Sequence, residues 1–155
     1  MKEYVEFYAE IVLDPHWPIM AWLVEYSAVV YTLYQKGEPY DGMTAWQRLR
    51  GKEWKVSLPH FGEVIDFKRR TKYKLDARWE TGVFLGVVLT STEKIVGTDS
   101  GVYTVQSIHR KPVEDRWDGN LVKQIKGFPW LPNPGEYHPT LLKEPIVLRL
   151  SLIHI

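Results

Sequence analysis

The stretch with the clearest chemical potential runs from 68 to 74, where Lys68, Arg69, Arg70, Lys72 and Lys74 surround Thr71 and Tyr73. Cations at this density suit phosphate oxygens, which they bind without reading base sequence. Tyr73 and the nearby Trp79 could stack on a base or pack against their own scaffold. The surrounding charge favours a polyanion. Residues 48–79 hold ten Lys or Arg against Glu53, Glu63, Asp66 and Asp76, a net of +6. Residues 1–47 hold two Lys against seven Asp or Glu, so the overall charge of +1 hides a segregated pattern.

Other chemistries find little footing. The chain has no Cys, which excludes disulfides, thiolate-bound zinc and thiol catalysis. His16, His60, His109, His138 and His154 lie too far apart for a local metal motif. Neither a glycine-rich phosphate loop nor a serine elbow is present. Asp99-Ser100-Gly101 has the composition of an aspartic-protease triplet. Gly97-Thr98 precede it where that class has an apolar strand, so a hairpin turn explains it better. The N-terminal acids show no spacing that marks a carboxylate cluster.

The elements that would position the basic run can be read from periodicity. Residues 2–13 suit a helix, and apolar positions from Ile19 through Trp22, Leu23, Tyr26, Val29, Val30 and Leu33 predict a second to about Gln35. Thr44 and Gly51 are set to start and stop a short helix over 45–50. The pattern then turns to strands: Val64 to Phe67, Thr81 to Thr90, Glu93 to Thr98 and Val102 to His109. Four strands at this spacing suggest a small antiparallel barrel, with the cations projected between its first two strands. A helix is expected over Arg116 to Ile125. From Phe128 onward five prolines indicate an extended tail.

A series of short pieces resembles the integrase of copia-type retrotransposons, a region of the Gag-Pol polyprotein. His16, Ile19, Trp22, Leu23 and Val24 are similar to the helix that closes the family's catalytic core. Asp41-Gly42-Met43-Thr44-Ala45-Trp46-Gln47-Arg48, with Gly51-Lys52, resembles its next short helix, and Phe61-Gly62-Glu63 leads into a strand. Lys74-Leu75-Asp76-Ala77-Arg78-Trp79-Glu80-Thr81-Gly82-Val83-Phe84-Leu85-Gly86 is similar to its most recognisable segment. Ile95-Val96-Gly97-Thr98, Ser107-Ile108-His109-Arg110, Arg116-Trp117-Asp118 and Gly127-Phe128-Pro129-Trp130 follow in order. The resemblance covers roughly residues 10 to 132.

That resemblance implies an α+β chain. Residues 1–52 would be the truncated C-terminal helices of a catalytic core. Residues 58–111 would form an SH3-like β-barrel that binds DNA, and residues 112–149 a helix and Pro-rich tail. The implied function is sequence-independent binding of double-stranded DNA during integration, through Lys68, Arg69, Arg70, Lys72, Tyr73, Lys74, Arg78, His109, Arg110 and Lys111. The family's three catalytic acids lie upstream of this segment, so no catalytic or metal-binding residue is carried over. Mg2+ or Mn2+ is expected for the full-length parent and no cofactor for this part. Self-association, or docking to the missing core, is implied, with the nucleus or a virus-like particle as the setting. No membrane partner is expected, since no apolar run is long enough to span a bilayer. The alternative is a protein-interaction module similar to SH3 or Tudor domains, or a mobile-element remnant without activity. Leu150-Ser151-Leu152-Ile153-His154-Ile155 resembles the translation of CTGTCTCTTATACACATC, a mosaic-end sequencing adapter, and is expected to be read-through.

Burial of large side chains such as Trp22, Leu23, Tyr26 and Val30 is worth roughly 1.5–3 kcal/mol each. Their helix is therefore expected to be poorly ordered unless it docks on the β unit.

Overall fold

The computed structural model describes residues 1–36, 42–69 and 79–133. The chain is α+β. Helices α1 (Lys2–Ala9), α2 (Pro18–Tyr34) and α3 (Ala45–Arg50) precede five strands, and a short helix follows them. The strands are β1 (Val64–Lys68), β2 (Trp79–Val87), β3 (Lys94–Thr98), β4 (Gly101–Val105) and β5 (Ser107–Arg110). They form one antiparallel sheet in the order β4-β3-β2-β1-β5.

This order carries a geometric consequence. The outermost strands β4 and β5 are separated in sequence by Gln106 alone. In a flat sheet they would lie about 19 Å apart. A single intervening residue spans at most about 7 Å. The sheet must therefore curl until its two edges approach at one corner, where the Lys94 ammonium reaches the Gln106 carbonyl at 3.4 Å. No ladder joins β4 to β5, so the sheet stays open along that seam.

Curling wraps the sheet around its own side chains, and α2 closes over β2. Tyr26 meets Phe84 edge-on at 5.8 Å and stacks on Phe61 at 5.5 Å. The Trp22 indole N–H donates to the Gly127 carbonyl at 2.9 Å, tying α2 to the segment beyond the last helix. Gly127 has φ of 109°, and a Cβ there would collide with the Pro132 carbonyl oxygen, so no other residue fits without a shift. One cluster of buried residues accordingly runs from Val5 and Ala9 of α1 through Trp22 and Tyr26 to Phe67, Phe84 and Ile125. The apolar face of α2 does dock on the β unit, which is the condition the sequence set for its order.

Several elements depart from expectation. The first helix stops at Ala9 rather than Leu13, because Glu10 adopts a left-handed conformation with φ of 56°. Leu13 is still buried, in the turn that follows. The expected fourth strand from Val102 to His109 is two strands, broken where the chain crosses from one sheet edge to the other. The expected helix over Arg116 to Ile125 shortens to α4 (Gly119–Gln124), with a separate 3-10 turn at Val113–Asp115 ahead of it. Asp118 causes that delay, since its carboxylate accepts from the Asn120 N–H and starts the helix after itself. By contrast, α3 has the expected bounds, with a reciprocal Thr44–Gln47 capping box and Gly51 in the left-handed region. Strand β2 is buried continuously from Gly82 to Val87, because the curled sheet covers one face and α2 the other. A register shift between Phe84 and Gly86 accompanies that double covering.

Burial of Tyr26 has a measurable consequence. Desolvation, with a smaller contribution from the Tyr34 phenol, pushes its pKa up to about 12. The folded state therefore holds this proton more tightly than the unfolded chain, whose phenol titrates near 10. The stabilisation is complete below pH 10 and is lost as pH rises toward 12. Denaturant midpoints measured across that window should fall, and Tyr26→Phe should remove this component of the decline.

Candidate nucleic-acid interface

Antiparallel pairing places the basic run. Strand β1 pairs with β2 from Val64↔Val83 through Lys68↔Trp79, so the last paired residues bracket the connection that carries the remaining cations. Arg70, Lys72, Tyr73, Lys74 and Arg78 themselves lie outside the described residues.

Directly opposed residues in a sheet share a face. Lys68 is opposed by Trp79 on one side and Ser107 on the other, while Asp66 is opposed by Thr81 and His109. One exposed face therefore gathers Lys68, Trp79, Ser107 and His109 at the base of the basic connection. Trp79 is 47% exposed, and its ring meets the His109 imidazole edge-on at 4.4 Å. Lys68 is exposed and makes no ion pair with any described residue. Asp66 accepts from the Thr81 hydroxyl at 3.0 Å and from the Lys111 ammonium at 3.1 Å, so Lys111 reaches this face already neutralised.

Of the candidate arginines, the two that are described, Arg69 and Arg110, are engaged elsewhere. Arg69 makes a two-pronged pair with Glu80, at 2.6 and 3.0 Å, and lies over the Tyr103 ring at 4.5 Å. Arg110 makes another with Glu63, at 2.9 and 2.8 Å. Glu63 is fully buried, whereas the Arg110 side chain is 38% exposed. Hydrogen bonding to Glu63 raises the Arg110 pKa against the opposing effect of its burial. Arg110 thus neutralises an internal carboxylate, and its capacity for DNA phosphate is small.

The structure therefore brings Lys68, His109 and Lys111 together and turns Arg69 and Arg110 toward their own acids. Sequence reasoning counted Glu63 and Asp66 in the charge balance and assigned no cation partner to Glu63, Asp66 or Glu80. The one hint was a glutamate, Glu63, set directly against the apolar start of β1. Asp99-Ser100-Gly101 forms the β3–β4 hairpin turn, with the Thr98 hydroxyl donating to the Gly101 carbonyl at 2.8 Å, as a turn reading requires. Among the described residues no group of three or more His, Asp or Glu could hold a metal ion, and no helix is long and apolar enough to cross a membrane. No protein-family model, curated protein or solved structure matches the chain.

Proposed function

We propose that this chain is the DNA-binding portion of a copia-type retrotransposon integrase, joining the end of the catalytic core to the C-terminal β unit. It grips the phosphodiester backbone without base readout. The observation that carries this reading is the Lys68↔Trp79 register, which makes the basic run the connection of a paired β-hairpin. The ordered series of family-like pieces supports it independently. The curled sheet, with its strand order and one-residue corner, is read as a variant of the SH3-like barrel of that family.

The contact surface consists of Lys68, the cations of the connection (Arg70, Lys72, Lys74 and Arg78), and the Trp79–His109 pair beside them. Arg69, Arg110 and Lys111 contribute mainly to holding the scaffold. Strand transfer, with Mg2+ or Mn2+, belongs to the acids of the parent enzyme, and this portion contributes DNA retention.

Anisotropy of two labelled duplexes with unrelated sequences tests the reading. If Lys68, Arg70, Lys72, Lys74 and Arg78 each neutralise one phosphate, the log–log salt slope is about −4.5. Raising salt from 50 to 200 mM should then weaken binding roughly 500-fold, equally for both duplexes. An affinity indifferent to salt would remove the basis for a backbone interface.

A further inference from the structure

The sheet face at the foot of the basic connection carries an indole that core packing does not account for. Trp79 opens β2 and is 47% exposed. Cross-strand pairing surrounds it with Lys68, Asp66, Thr81, Ser107 and His109, none of them apolar. Among the described residues its ring partner is the His109 imidazole, edge-on at 4.4 Å. That contact bridges over β1, which lies between β2 and β5.

We propose that Trp79, braced by His109, stacks on an unpaired base, so that this surface takes a single-stranded tail at the end of a DNA duplex. The inference rests on the backbone interface set out above and names the form of DNA that it holds.

Charge selects the class of partner. The acids of β1 and β2 are already engaged: Asp66 by Lys111 and the Thr81 hydroxyl, Glu80 by Arg69. Strand β5 has no acid, and Lys68 makes no ion pair with any described residue. The connection from 70 to 78 adds Arg70, Lys72, Lys74 and Arg78 against Asp76. An exposed aromatic ring within a cationic surface suits a partner that offers both phosphates and π-faces, which is a nucleic-acid strand. The ring then selects the state of that strand. In a duplex each base is covered above and below by its neighbours, and presenting one to Trp79 costs the energy of unstacking it. An unpaired base carries little of that cost. Stacking accepts every base, so binding stays independent of sequence.

The test measures anisotropy of the full chain with one labelled duplex in three forms: blunt, with a short oligothymidine tail, and with an abasic tail of equal length. The two tails carry the same phosphates, so charge cancels in their comparison. The thymidine tail should be bound about tenfold more tightly than the abasic one, as one base–aromatic stack requires. Trp79→Ala should bring that ratio to about one, whereas Trp79→Phe, which keeps a ring, should retain a preference of roughly threefold. Equal affinity for the two tails in the native chain would mean that the indole serves only its own scaffold, and would overturn the proposal. So would a ratio that Trp79→Ala leaves intact, which would put the base elsewhere. The native chain alone decides the first comparison, so the proposal can fail even where the alanine variant does not fold. Failure of the backbone interface reads differently, as blunt-duplex binding that salt does not weaken.

Discussion

Arg110→Ala is expected to destabilise the fold by about 3 kcal/mol, read as a fall in the urea midpoint with an unchanged slope. The reason lies in the partner. Glu63 is fully buried and receives both of its charge-assisted bonds from this guanidinium. Removing the arginine leaves an anion in a medium that solvates it poorly, which costs about 3–5 kcal/mol for a fully enclosed pair. The lower end applies because the Arg110 side chain is 38% exposed and water can partly replace it. Arg110→Lys should recover only part of the loss, since an ammonium cannot span both carboxylate oxygens. Replacing Glu63 by Gln in the Arg110→Ala background should recover stability by removing the stranded charge. A simple loss of a surface cation would show neither pattern, and an unaltered midpoint in Arg110→Ala would refute the buried-pair account. Any drop in DNA affinity in this variant is therefore a folding effect before it is an interface effect.

Simultaneous replacement of Lys68, Arg70, Lys72, Lys74 and Arg78 by Ala should cost at least about 100-fold in affinity for duplex DNA at low salt. It should also flatten the log–log salt slope by about 4.5. Arg69 is left native here by design, because its guanidinium pairs with Glu80 and packs over Tyr103. Arg69→Ala alone should barely change the salt slope, as a cation already neutralised has few counterions to displace. Retained affinity in the fivefold variant would move the interface elsewhere, and a collapse of the slope in Arg69→Ala would show that its ion pair opens for DNA. Thermal melts of both variants separate these outcomes from unfolding.

The parts of this fold that were legible in the sequence are those fixed by neighbours a few residues apart. Thr44, Gln47 and Gly51 define α3 because a capping box and a left-handed stop are local devices. The apolar rhythm of α2 and the Gly101 turn are equally local. The break at Gln106 was not legible. Nothing in Val105-Gln106-Ser107 resembles a turn, and the bend is imposed by the need to cross between sheet edges. Glu10 similarly adopts a conformation that glycine would suit better, so its sequence gives no helix-stop signal. The same distinction governs the candidate site. The basic run was visible as composition. Which candidate cations are already engaged depended on Arg69 meeting Glu80 across the hairpin and on Arg110 meeting Glu63 across 47 residues of chain, pairings that no local pattern encodes.

The pairing of β5 with β1 reaches across the whole meander, joining Ile65 to Arg110, whereas the other ladders join consecutive strands. Loop-closure entropy makes such a seam a late event in folding and an early one in local opening. Once β5 lifts away, β1 is left with an unsatisfied edge and the apolar side chains of Ile65 and Phe67, a template for another chain's strand. The same motion strips Glu63 of its guanidinium. A bare carboxylate beside that edge then opposes intermolecular β-addition, so the same Glu63 that anchors Arg110 of β5 in the native sheet guards the opened form against aggregation.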